Sequence, residues 1–115
     1  MNIVYYSRYF EMFEEARTEL LRSIGLDVTE IEKAGTMLPV VEAHADYKKA
    51  AGFEDELVIR TNIPALPKGK LRIAYEVLKD NDVLVSGFTE HAFTNAEGKP
   101  TRAPEMILSV LQKHF

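Results

Sequence analysis

From Ile3 to Gly25 the chain reads IVYYSRYFEMFEEARTELLRSIG, and its apolar positions recur at steps of three and four. Tyr6, Tyr9, Phe10, Phe13, Ala16, Leu20, Leu21 and Ile24 form one stripe, with the stem of Arg17 beside it. Glu11, Glu14, Glu15, Glu19 and Arg22 mostly fall on the other side. This spacing predicts one long amphipathic helix whose stripe packs against the rest of the chain. Ser7 is the expected N-cap, with Glu11 close enough to reach back. Gly25 can take the left-handed conformation that closes a helix. The first turn has a further property. Its N–H groups lack intrahelical acceptors, so a backbone N–H at Tyr6 can stabilise an anionic atom or a developing oxyanion.

Beyond Gly25 the period changes. LDVTEIEKAG reads as a polar connector with about one helical turn. Strands are expected over Thr36–Tyr47, Asp55–Ile63, Leu71–Leu78 and Val83–Thr94, where β-formers and polar residues alternate. In the first, Glu42, His44 and Asp46 alternate with Ala43, Ala45 and Tyr47, and Pro39 belongs near the start or at a bulge. In the second, Leu57, Ile59 and Thr61 share one face and Val58 and Arg60 the other. Gly87 marks a bulge or a close approach of backbones. ALPKGK, KDND and NAEGKP are turns, and Ala103–Phe115 is a short closing helix with Pro104 in its first turn. A helix followed by strands joined through short turns defines an α+β class, a single domain over residues 1–115 with an antiparallel sheet curved around the helix.

Composition narrows the function. The 115 residues are 46% hydrophobic, enough for a core, and no stretch is long or apolar enough to span a membrane. No signal peptide is recognisable, so a cytoplasmic protein is expected. With no cysteine, thiolate metal sites and cysteine nucleophiles are excluded. The net charge of −4 argues against general nucleic-acid binding, but not against a small anion held by a local basic cluster. Two such clusters stand near turns, Lys68, Lys70 and Arg72, then Lys99 and Arg102. His44 and His91 lie on expected strands, where they could face one cavity, and no histidine spacing suggests a metal. Glu42, Asp46, Glu54 and Asp55 are candidates for a general base, and none is singled out by its spacing.

Together these residues resemble a known family. Ile3-Val4-Tyr5-Tyr6, Tyr9-Phe10 and Phe13-Glu14-Glu15-Ala16-Arg17-Thr18-Glu19 are similar to the opening helix of the hotdog-fold acyl-CoA thioesterases. The 4-hydroxybenzoyl-CoA thioesterase and YbgC-like branch is the nearest. Asp46-Tyr47 to Phe53-Glu54-Asp55-Glu56-Leu57 resembles that branch's strand–turn–strand region. Gly87-Phe88-Thr89 to Gly98-Lys99-Pro100-Thr101-Arg102-Ala103-Pro104 resembles its last strand and exit. The likeness implies a curved antiparallel sheet around one long central helix, paired into a homodimer or homotetramer with active sites at the subunit boundary. It implies an acyl-CoA or acyl-carrier-protein thioester as substrate, with no cofactor. The amide of Tyr6 would polarise the thioester carbonyl, and Lys68, Lys70, Arg72, Lys99 and Arg102 would hold the CoA phosphates.

The family's catalytic Asp lies on the loop ahead of the helix, upstream of Met1, as does its first strand. Where the YbgC-like branch often has His, this chain has Tyr6. Asn2 is the polar side chain left in that loop, able to orient water or the carbonyl but not to act as a base. Glu42 and Asp46 are weak substitutes, and His44 could assist. Three readings follow. The first is hydrolysis of an acyl-CoA thioester to acid and CoA. The second is a non-catalytic acyl-CoA or acyl-carrier-protein binding module that has lost the Asp. The third, ranked last, is a dehydratase using His44.

Overall fold

A computed structural model describes residue 4, residues 6–52 and residues 54–115. The elements in chain order are α1 (Tyr6–Ser23), α2 (Val28–Lys33), β1 (Val40–Tyr47), β2 (Val58–Asn62), β3 (Lys70–Lys79), β4 (Asp82–Ala92) and α3 (Glu105–Gln112). The strands form one antiparallel sheet in the order β1-β4-β3-β2. The fold is therefore α+β, as the alternation of periods predicts.

The end of α1 follows the sequence closely. Gly25 has φ of 90°, and the Leu26 amide donates to the Leu21 carbonyl at 2.7 Å, which satisfies one of the last-turn carbonyls. Its start differs from expectation. Tyr6 is the first helical residue, so Ser7 lies inside the first turn and cannot cap it. Glu11 pairs with Arg8 instead, one turn away. Val4 is not helical; it is buried, and its amide donates to the Ala51 carbonyl at 2.8 Å. Ile3 and Tyr5 lie outside the described residues. The connector after Gly25 contains α2, capped by the Asp27 carboxylate, which accepts from the Thr29 amide at 2.9 Å.

β1 and β2 are shorter than expected, β3 is one residue longer at each end, and β4 runs from Asp82 to Ala92. β1 starts after Pro39, and its register shifts between Val40 and Glu42. Met37 keeps only an isolated bridge to Thr94. Asp55 belongs to a turn, because its carboxylate accepts the Gly52 amide at 2.7 Å. Pro104 is the residue before α3, not part of its first turn. β3 and β4 are joined by Asp80 and Asn81, with φ of 50° and 70°, the twist a two-residue hairpin needs.

Alternation along β3 and β4 sorts the sheet into two faces. Leu71, Ile73, Tyr75, Val77, Val85, Thr89 and His91 are buried, and register places them on one face. Tyr9, Phe13 and Leu21 of α1 join the same core, with Ile107 and Leu111 of α3. Phe13 is fully buried and stacks on Tyr75, ring centroids 4.3 Å apart and planes 7° from parallel. Tyr6 and Phe10 belong to the stripe by spacing, but are 68% and 37% exposed. Gly87 allows the central contact. A methyl group there would sit 2.3 Å from the His44 carbonyl oxygen and 3.0 Å from the Phe13 ring.

Two substitutions measure this contact by urea unfolding. Phe13→Ala should lower stability by about 3–5 kcal/mol, as expected for a buried aromatic leaving a cavity. Gly87→Ala should cost about 1–3 kcal/mol through overpacking. A Gly87→Ala protein as stable as the parent would show that β1 and the Phe13 ring are not held against that position.

Candidate active site

The amino end of α1 meets the far ends of β1 and β4. Tyr47, last in β1, pairs with Val85 of β4. Its hydroxyl donates to the Tyr6 carbonyl at 3.3 Å, and its ring lies 4.5 Å from that of Tyr6 and 5.7 Å from that of Tyr9. The Lys48 and Lys49 amides both donate to the Leu84 carbonyl, at 2.8 and 3.1 Å, which fixes the chain as it leaves the strand. The result is a small recess of about 130 Å³ lined by Val4, Tyr6, Tyr9, Tyr47, Lys48, Lys49 and Ala50.

Burial, and then the neighbouring phenol of Tyr6, raise the pKa of Tyr47 above its ordinary value. Tyr9 is raised by burial and then by Tyr47, Asp55 and Tyr6. Both phenols therefore stay protonated, and Tyr47 gives its proton to the Tyr6 carbonyl. Lys49 is engaged by Asp82 at 2.6 Å, whereas Lys48 makes no ion pair among the described residues. The recess is thus lined by three phenols and two lysines at the amino end of a helix, and no carboxylate among the described residues lines it. Asp55 comes nearest in kind, but Lys79 at 2.9 Å and the Gly52 amide hold its carboxyl below the usual range. It is a poor proton acceptor.

The other candidates are distributed differently. Asn2 lies outside the described residues. His44 pairs in register with Phe88 and stacks on its ring at 5.5 Å, on the sheet face away from α1. Strand alternation puts Glu42 and Asp46 on that outer face too, while Tyr47 points to the helix. His44 and His91 therefore do not share a cavity, and the sheet separates them. Arg72 also faces outward, 3.3 Å from Glu90 and 3.9 Å from the centre of the Phe88 ring. Lys68 and Lys70 are exposed where β3 begins, and Lys99 and Arg102 are exposed in the turn beyond β4. Register joins these groups, since Lys70 pairs with Ala92 and the Thr101 amide donates to the Phe93 carbonyl at 2.8 Å. Within one chain this basic end is separated from Tyr47 by the length of β4 from Val85 to Ala92, about 23 Å at the rise of a strand.

A buried polar chain lies under the sheet's helix-facing side. His91 Nδ1 is 3.0 Å from the Leu38 carbonyl, so it must donate there. Nε2 of the neutral ring then accepts from the Thr89 hydroxyl at 2.8 Å, and Thr89 in turn accepts from Tyr75, also at 2.8 Å. The Thr89–His91 spacing of two residues could have shown these groups on one face. Nothing in the sequence signals the meeting of Tyr6 and Tyr47, which are 41 residues apart.

This combination of a single antiparallel sheet, a long helix packed on one face and a recess at the helix's amino end is the hotdog class of α+β fold. A family description, the Thioesterase-like superfamily, matches residues 1–111, and the chain belongs to that family. Acyl-CoA thioesterase YbgC of Haemophilus influenzae is 32% identical over 88 residues, 76% of this chain and 64% of that protein. The crystal structure of the hypothetical protein TT1821 from Thermus thermophilus superposes with a TM-score of 0.90 at 31% identity, covering 98% of this chain and 87% of that one. BH1999 gentisyl-coenzyme A thioesterase superposes with a TM-score of 0.84 at 25% identity, covering 96% and 88%. No helix among the described residues is long and apolar enough to cross a membrane.

His91 gives the stability of the fold a pH dependence. Burial, followed by the charge of Arg17, lowers its pKa below 6.5, against the opposing pull of the Leu38 carbonyl. The unfolded chain then takes up the proton first. The contribution to stability is complete above pH 6.5 and declines as the pH falls below it towards the folded-state value. Urea melts across this window should show the slope, and His91→Gln should reduce it. An unchanged slope in that variant would assign the titration to another group.

Proposed function

We propose that this protein hydrolyses acyl-CoA thioesters to free acid and CoA, with the Tyr6 amide as oxyanion donor. The observation that carries the reading is the position of that amide. It is first in α1, at a recess bounded by two phenols held in their protonated state. A thioester carbonyl in the recess would lie at the positive end of the helix. Family membership supports the reaction class, and the named activities of YbgC and BH1999 support coenzyme A as the thiol.

The basic residues fit this reading through a dimer. β1 is an edge strand with Val40, Val41 and Tyr47 exposed at 44%, 51% and 37%. Antiparallel pairing with the same strand of a second copy would set one chain's Tyr47 end beside the other's Val40 end. The partner subunit's Lys70, Lys99 and Arg102 would then approach the recess from across the seam, where phosphates of a bound CoA need cations. The same arrangement serves an acyl-carrier protein, and the expected compartment is the cytoplasm.

A second reading has its own support, since no carboxylate or histidine among the described residues lines the recess. A chain so equipped would bind acyl-CoA without turning it over. An acyl-CoA panel with thiol detection, run beside calorimetric binding, separates the two. Hydrolysis is expected, and Tyr6→Pro, which removes the amide while tolerating the first helical position, should lower kcat on the order of 10²-fold. An unchanged kcat would remove Tyr6 from the mechanism. Binding with no thiol released would establish the module reading.

A further inference from the structure

We infer that Asp55 is a positioning residue for the Tyr6 amide, acting through the loop between β1 and β2; the inference rests on the reading of that amide as the oxyanion donor. The link is a short series of hydrogen bonds. The Asp55 carboxylate accepts from the Gly52 amide at 2.7 Å, and the Asp55 amide donates back to the Gly52 carbonyl at 3.1 Å. These two bonds close the turn that follows Ala51. The Ala51 carbonyl accepts from the Val4 amide at 2.8 Å, and both residues are buried. Val4 stands two positions ahead of Tyr6, the first residue of α1. A shift of the turn is therefore passed to the point where the chain enters the helix.

The carboxylate is committed to this arrangement. Its Oδ2 holds Gly52, and its Oδ1 holds Lys79, the last residue of β3, at 2.9 Å. Lys79 thereby ties the turn to the sheet. That ion pair is partly exposed, where such pairs contribute little. The bond from Gly52 is charge-assisted and stronger than one between neutral groups. With each oxygen engaged, Asp55 acts on the site through the backbone and not as a base. It is nevertheless close to the recess. Burial, then Tyr47 and then Asp55 raise the pKa of Tyr9, so the carboxylate's charge is felt at one of the lining phenols.

The start of α1 is thus held from two directions. The Tyr47 hydroxyl donates to the Tyr6 carbonyl at 3.3 Å, and the loop anchored by Asp55 holds Val4. An oxyanion donor is effective when it is fixed beforehand where charge develops, because no reorganisation is then needed. Misplacing a reacting group by about 1 Å can cost roughly 10²-fold in rate. A residue that touches no substrate therefore bears on kcat by fixing the donor's place.

Asp55→Ala and Asp55→Asn test this link. The asparagine side-chain oxygen can still accept from Gly52, whereas alanine leaves that amide without its partner. With an acyl-CoA substrate, Asp55→Ala should lower kcat by about tenfold and leave KM nearly unchanged, the pattern of an interaction lost in the transition state alone. Asp55→Asn should recover most of that loss. Exchange of the Val4 amide with solvent, followed by NMR, reads the link without turnover. It should be faster in Asp55→Ala than in the parent and return towards the parent rate in Asp55→Asn. An unchanged Val4 exchange rate or an unchanged kcat in folded Asp55→Ala protein would overturn the inference. So would an Asp55→Asn protein equal to Asp55→Ala in both measurements, since the effect would then belong to the charge and not to the Gly52 bond. A parent that binds acyl-CoA without releasing thiol would overturn the reading of Tyr6, and Val4 exchange would still decide whether Asp55 holds the start of α1.

Discussion

The contact between Phe13 and Tyr75 holds the helix to the sheet, and its closeness depends on a missing side chain. The two rings lie nearly parallel in the centre of the core, and Gly87, beside Tyr75 in register, leaves the space they occupy. Any larger residue there would meet the backbone of β1 on one side and the Phe13 ring on the other. The separation of helix from sheet and of β1 from β4 is thus set at one point. From that point α1 runs one way to the Tyr6 recess and the other way to its closing turn at Gly25, so both ends of the helix are placed from the same contact.

The two ends of the sheet differ in chemistry. One collects phenols around a helix terminus, with Lys48 and Lys49 following. The other collects Lys70, Lys99 and Arg102 around the turn after β4. Under the proposed function, the substrate has its own polarity, a reactive carbonyl at one end and phosphates at the other. A two-fold axis through β1 would bring opposite ends of two chains together in the sense such a molecule requires. The protomer alone separates them by the length of a strand.

The sequence was most informative where local rules dominate. Gly25 closes α1 because a positive φ is needed there, and each of the four expected strands is present, β3 within one residue of its expected ends. It was least informative where contacts are distant. Nothing local distinguishes Tyr6, largely exposed at the site, from Tyr9 at the next turn of the helix, which is buried. His44 and His91 both read as strand residues, and only register shows that they occupy opposite faces. Ser7 has the right side chain for a cap but lies inside the first turn of α1. The rings of Tyr6, Tyr9 and Tyr47 converge through chain closure over some forty residues, a property of topology that no spacing records.

The Asp80-Asn81 turn bears on the order in which this chain assembles. β3 and β4 can zip together from it on the microsecond scale typical of hairpins, because each successive pair closes only a slightly larger loop. β1 must return across a far longer loop to reach β4, and α1 arrives from further still, so loop-closure entropy delays both. The ring stack between α1 and β3 is therefore a late event. Weakening it would speed unfolding far more than it slows folding, and the lifetime of the native state, not the speed of reaching it, rests on that pair of rings.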